Sequence, residues 1–125
     1  MKVFLDTYAC IFLLEGDEAA FGKRAKQELE RAALFISPLV RLEFAYLHEI
    51  HRINHAPDRL LSELTTAYGV TEASDPIQEI VAEAMALTWT RDPFDRLIVA
   101  TAKLHRAPLI TQDQTILEHF ENAVW

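Results

Sequence analysis

Short apolar runs alternate with longer stretches of helical periodicity along this chain. Lys2–Leu5 is a brief apolar run ended by Asp6 and Thr7, and residues 9–14 then carry hydrophobicity at helical rather than alternating spacing, so a strand followed by a helix is predicted. After Gly16 and Asp17, residues 18–31 mix Ala, Lys, Glu and Leu as a solvent-facing amphipathic helix does. Residues 34–36 read as a second strand. Ser37 and Pro38 follow as a capping residue and a proline at the first helical position, opening a helix that carries Leu39, Leu42, Ala45, Tyr46 and Ile50 as its apolar stripe and runs to about His55. Ala56 and Pro57 break it, residues 58–67 form a further helix, and residues 68–72 a weak third strand. Asp75-Pro76 and Asp92-Pro93 repeat the cap-and-proline signal. The first opens a helix with Ile77, Ile80, Val81, Ala84 and Leu87 inside; the second opens a largely buried helix over residues 93–105. Residues 108–110 give a fourth strand, 111–113 a loop, 116–120 a short helix, and 123–125 an edge strand. Strands that alternate with amphipathic helices in this way predict an α/β protein, a central parallel sheet of four to five strands covered by helices on both faces.

Composition adds bounds to that picture. The chain has 125 residues, half of them hydrophobic and a quarter charged, with three glycines, five prolines and neither repeats nor low-complexity stretches, which suits a single domain over residues 1–125. The lone Cys10 sits in an apolar run and reads as a small buried hydrophobe of a reducing compartment. The stretch before Asp6 is too short for a signal peptide or a membrane span, so a cytoplasmic protein without a membrane partner is expected. A formal net charge of −7 argues against a protein that coats nucleic acid through a basic face. It leaves room for a nuclease, whose carboxylates act on phosphates through the cations they hold.

Position turns four scattered acids into a candidate site. Asp6 directly follows the first strand and Asp113 comes shortly after the fourth, so both lie at the carboxyl edge of the sheet, where folds of this type bind ligands. Glu43 lies in the second turn of the helix after the second strand, near that edge, and Asp95 in the first turn of an apolar helix. Carboxylates gathered together raise one another's pKa unless cations neutralise them. Mg²⁺ or Mn²⁺, hard ions that prefer oxygen ligands, are the natural partners for attack of a water on a phosphodiester. Each acid also has a plainer role. Asp6 suits a helix cap, Glu43 a surface residue paired with Arg41, Asp95 a favourable charge in a first helical turn, and Asp113 the start of a helix.

Asp92, three residues before Asp95, is read as a helix cap rather than a fifth site member. Arg91 and Arg96 flank this pair and suit either a carboxylate or an RNA phosphate. His48, His51 and His55 share one helix at spacings that can grip zinc, although a polar helix face explains them more simply. Trp89, Trp125, Tyr46 and Tyr68 are available to stack RNA bases but read first as core or interface residues. No glycine-rich loop supports a nucleotide site. A receiver or phosphatase domain also places aspartates at a sheet edge, but it needs a late lysine, and none lies beyond Lys103.

The order and spacing of these pieces resemble the PIN domains, and within them the VapC-type toxins of prokaryotic toxin–antitoxin pairs. The resemblance spans the chain and is carried by Val3-Phe4-Leu5-Asp6-Thr7, Ser37-Pro38 with Leu42-Glu43, residues 92–102 from Asp92-Pro93-Phe94-Asp95-Arg96 onward, and Leu109-Ile110-Thr111-Gln112-Asp113. It implies a Rossmann-like α/β/α sandwich and Mg²⁺- or Mn²⁺-dependent endoribonuclease activity. It further implies restraint by a cognate antitoxin and a homodimer. Asp6, Glu43, Asp95 and Asp113 fall on the family's acidic positions, while Thr7 and Thr111 fall on hydroxyl positions implied to hold a carboxylate or a metal-bound water. Tyr8 departs from the Asn, His or Ser that many members carry there. Two other readings of the same family stand beside the toxin: a stand-alone RNA-processing nuclease, and a non-catalytic domain that only grips RNA or a partner.

Overall fold

The computed structural model describes residues 1–125. Five short strands, β1 (Lys2–Leu5), β2 (Ala33–Ile36), β3 (Thr71–Glu72), β4 (Leu109–Ile110) and β5 (Ala123–Val124), pair in parallel in the order β3-β2-β1-β4-β5. Phe4 stands opposite Phe35 on one side and Leu109 on the other. As the middle strand of a sheet covered on both faces, β1 buries Val3, Phe4 and Leu5 completely, which is why its sequence is a continuous apolar run with no alternation. The covering helices are α1 (Thr7–Leu14), α2 (Lys23–Arg31), α3 (Pro38–Glu49), α4 (Pro57–Tyr68), α5 (Ile77–Met85), α6 (Pro93–Leu104) and α7 (Gln114–His119). Together they make the α/β/α sandwich that the hydrophobic pattern predicts.

Two caps form as their sequences require. The Ser37 hydroxyl accepts a hydrogen bond from the Leu39 N–H at 3.2 Å at the start of α3. Asp92 Oδ1 accepts from the Phe94 and Asp95 N–H groups at 2.8 and 3.3 Å at the start of α6. At Asp75-Pro76 the same signal has another use. Pro76 itself occupies the cap position of α5 without a side-chain bond, and the Asp75 carboxylate lies 2.7 Å from His105 Nε2, joining the entrance of α5 to the end of α6.

Three stretches fold differently from their periodicity. Residues 18–31 are not one helix: a single 3₁₀ turn over Glu18–Ala20 precedes an extended Phe21, and α2 starts after Gly22. The break lets Phe21 turn inward, where it is 4% exposed. The helix carrying Glu43 stops at Glu49 instead of reaching His55, and His51 takes a left-handed conformation at φ 60° as the chain turns towards Pro57. Its buried stripe is Val40, Phe44 and Leu47, whereas Leu42, Tyr46 and Ile50, expected inside, are exposed. Finally, Tyr68 ends α4 and Gly69 caps it in the left-handed region at φ 65°, so only Thr71–Glu72 of the third strand forms.

From β1 the chain winds to β2 and β3 on one side, then returns to place β4 and β5 on the other. The carboxyl ends of β1 and β4 therefore flank the point where the winding reverses, the crevice in which open α/β sheets bind ligands.

Candidate functional site

That crevice is a cleft of about 410 Å³ lined by Asp6, Thr7, Tyr8, Glu43, Asp92, Asp95, Gln112 and Asp113, with Ile98 and Ile116 among them. Asp6 arrives on the end of β1, where its N–H still bonds to the Ile110 carbonyl at 3.1 Å, and its Oδ1 then caps α1 by accepting from the Ala9 N–H at 2.8 Å. Asp113 is placed the same way beyond β4. The Thr111 N–H extends the sheet to the Val124 carbonyl at 3.0 Å, the buried Thr111 hydroxyl accepts from the Asp113 N–H at 3.1 Å, and Asp113 Oδ1 caps α7 through the Ile116 N–H at 3.0 Å. The Thr111 hydroxyl also stands near enough to the Asp6 carboxylate to favour its ionised form. Helix-capping and cleft-lining are thus combined in the same aspartates, each of which keeps one carboxylate oxygen clear of its cap.

Glu43 is held from across the cleft, with the Thr7 hydroxyl donating to its Oε1. Arg41, a possible partner by sequence, turns instead to Glu72 at 2.6 Å. Asp95 stands half-buried in the first turn of α6. Asp92 caps α6 as its position predicts and in addition faces the cleft beside Asp95, a membership that the cap signal hides. Gln112, between Thr111 and Asp113, also lines the cleft and carries no sequence signal of its own. Arg96 forms no ion pair with a carboxylate of the cleft; its Nε donates to the Leu87 carbonyl at 2.8 Å and pins the segment ahead of α6, with its terminal nitrogens left for other partners.

The electrostatics follow from burial and crowding. Burial, the strongest cause, together with Asp92, Asp113, Glu43 and Asp6, pushes Asp95 up to about 7. Asp6 rises to about 6 through burial, opposed by the nearby Thr111 hydroxyl and its bond to Ala9 and assisted by Glu43 and Asp113. Glu43 is raised by burial, against the Thr7 bond. At neutral pH the cleft is consequently short of positive charge. Its donors are all oxygens, a set that suits a hard divalent cation. No three acidic, histidine or cysteine side chains stand close enough to form a ready-made ligand group. A hard divalent cation is commonly held by one or two carboxylates with water completing its shell, and Asp6, Asp95 and Asp113, which line the one cleft, are the residues that would hold it.

No helix is long and apolar enough to cross a membrane. No curated protein sequence matches the chain. Solved structures do. A toxin–antitoxin complex from Klebsiella pneumoniae contains a chain 26% identical, with 98% of this chain and 96% of that one covered and a TM-score of 0.67. VapBC-1 from nontypeable Haemophilus influenzae is 20% identical over 100% and 96% of the two chains, TM-score 0.68. VapBC2 from Rickettsia felis, bound to a DNA fragment from its promoter, is 15% identical over 99% and 96%, TM-score 0.67. The last two likenesses establish the fold. The PIN domain family matches residues 3–121, a span that runs from within β1 through β4 and contains every acid of the cleft, and the chain therefore belongs to the PIN domain family.

Proposed function

We propose that this protein is an endoribonuclease dependent on Mg²⁺ or Mn²⁺ and that it serves as the toxin of a toxin–antitoxin pair. The observation that carries the proposal is the meeting of Asp6, Glu43, Asp95 and Asp113 in one cleft where burial and mutual repulsion hold two of them near neutral pKa. A divalent cation bound there would supply Lewis acidity for hydrolysis of a phosphodiester. Asp6, Asp95 and Asp113 would hold it through their free oxygens, Glu43 would complete the set, and Thr7 and Thr111 keep Glu43 and Asp6 oriented.

The toxin assignment rests on the relatives, above all the toxin–antitoxin complex at 26% identity. A second feature agrees with it. A groove of about 750 Å³, lined by Ile11, Phe12, Leu47 and Leu60 and by the polar Glu15, Arg52, His55 and Glu63, adjoins the cleft and shares Tyr8 and Gln112 with it. An antitoxin segment lying in that groove would reach the acids.

Purified protein is expected to cleave single-stranded RNA with Mg²⁺ or Mn²⁺ and to stop when the ion is chelated. Asp6→Asn and Asp95→Asn should remain folded and lose at least about a hundredfold in rate, the upper end of what loss of a mere supporting residue costs. Undiminished cleavage by both variants would sink the site. The product of a small adjacent reading frame should bind the protein and silence cleavage; a nuclease with no such neighbour would be a stand-alone RNA-processing enzyme.

A further inference from the structure

Outside the cleft lining, two rings are stacked in parallel with an offset. The Trp89 indole and the His119 imidazole lie 5.2 Å apart between centroids and within 6° of parallel. Nothing in their sequence positions pairs them, and the fold brings them together from the segment before α6 and from the last residue of α7. Trp89 is packed against the core, and its segment is pinned three times. Arg96 Nε bonds to the Leu87 carbonyl, Arg91 to the Thr88 carbonyl at 2.9 Å, and the Thr90 hydroxyl accepts from the Asp92 N–H at 3.2 Å. His119 is exposed. Its ring is fixed in orientation because Nδ1 donates to the Thr115 carbonyl at 2.9 Å, a bond that leaves Nε2 on the outer edge. The indole packs against the imidazole with the offset that a 5.2 Å centroid separation requires, and the imidazole is otherwise exposed.

We propose that this pair is a stacking platform for a base of single-stranded RNA lying next to the cleft, with His119 the residue that touches the base and Trp89 the rigid support beneath it. The proposal rests on the nuclease reading for the substrate's class. Its chemistry is independent: a molecule with net charge −7 cannot gather RNA by phosphate attraction alone, and stacking on an aromatic face supplies affinity without a basic surface. The location fits. Trp89 precedes the cleft-lining Asp92 by three residues, and α7 runs from its Asp113 cap to His119 over about 9 Å at 1.5 Å per residue. A nucleotide neighbouring the one held at the acids would meet the ring.

The test uses a fluorescently labelled single-stranded oligouridine and fluorescence anisotropy in Mg²⁺, with Asp95→Asn protein so that the probe stays intact. His119→Ala in that background should weaken binding about tenfold, the size of one lost stacking contact, and His119→Phe should restore it. In the active protein His119→Ala should raise KM and spare kcat. Unchanged affinity in His119→Ala, or a loss that His119→Phe does not repair, overturns the platform even where RNA is cleaved normally. Failure of the wild type to cleave, with His119-dependent binding intact, would instead remove the nuclease reading and keep the platform.

Discussion

Asp95 and Asp6 carry the most pH-sensitive chemistry in the molecule, and the direction of their effect on stability follows from their burial. Both ionise near 3.8 in an open chain but near 7 and 6 in the folded one. Below pH 4 the two states are equally protonated. As pH rises from about 4 towards 7, the unfolded chain has already lost these protons while the folded one still binds them, so stability falls across that window. Metal-free protein should accordingly melt at a lower temperature at pH 7.5 than at pH 5.5. Asp95→Asn should flatten that slope, and Mg²⁺ should raise the melting temperature more at pH 7.5 than at pH 5.5 because it favours the ionised form. Thermal melts at the two pH values check all three, and a wild-type slope of opposite sign that Asp95→Asn leaves unchanged would contradict the assignment. At this scale the sequence displays the acids plainly, since Asp6 and Asp113 stand at strand ends. It does not display their company. Asp92 looks like a cap and is one, yet it also faces the cleft, and Arg96 is anchored through its Nε on the Leu87 carbonyl while its terminal nitrogens stay open to other partners.

Among the elements, those whose causes are local are legible before folding. β1 is a central strand because it is apolar without alternation, and α3 and α6 begin where Ser37-Pro38 and Asp92-Pro93 say they should. The elements that differ from expectation do so for tertiary reasons. The break at Phe21 and Gly22 exists because Phe21 joins a cluster with Phe12 and Trp125, with ring centroids 5.2–6.3 Å apart, and because the Trp125 backbone passes over Gly22. A Cβ at Gly22 would come within 2.5 Å of the Trp125 carbonyl carbon and 2.8 Å of its oxygen. Gly22→Ala should therefore cost about 1–3 kcal/mol, the usual range for overpacking, and should shift the Trp125 fluorescence as the cluster loosens. Equal stability in chemical denaturation would mean that the end of the chain gives way freely.

For the whole molecule, the most evident unfinished surface is on α3 and α5. Ile77, Val81 and Met85 recur at four-residue spacing along one face of α5 and are exposed, Met85 to 71%, while Leu42, Tyr46 and Ile50 repeat the pattern on α3. Periodicity assigned the α3 stripe to the core, and with it Ile77 and Val81 of α5, whereas only their companions Ile80, Ala84 and Leu87 are buried. Spacing alone does not separate a core-facing stripe from an interface-facing one. A homodimer is the assembly we expect to cover them, and a stable one would bury about 800 Å² on each copy. Light scattering behind gel filtration should give twice 14.3 kDa for the wild type. Val81→Glu with Met85→Glu should give the monomer without loss of fold, and a wild type that is already monomeric at tens of micromolar would remove the dimer.

The double duty of the aspartates has a bearing on how such a chain can decay. Asp6, Asp92 and Asp113 each hold a helix start through one oxygen while facing the cleft with the other. Asparagine caps a helix about as well as aspartate does, whereas alanine forfeits about 1 kcal/mol at each cap. Under selection against a harmful activity, substitution to asparagine is therefore the route of least structural resistance. On the proposed function, a descendant that took it would keep its sheet and its groove, and would pass from nuclease to binding protein without ever having been unstable.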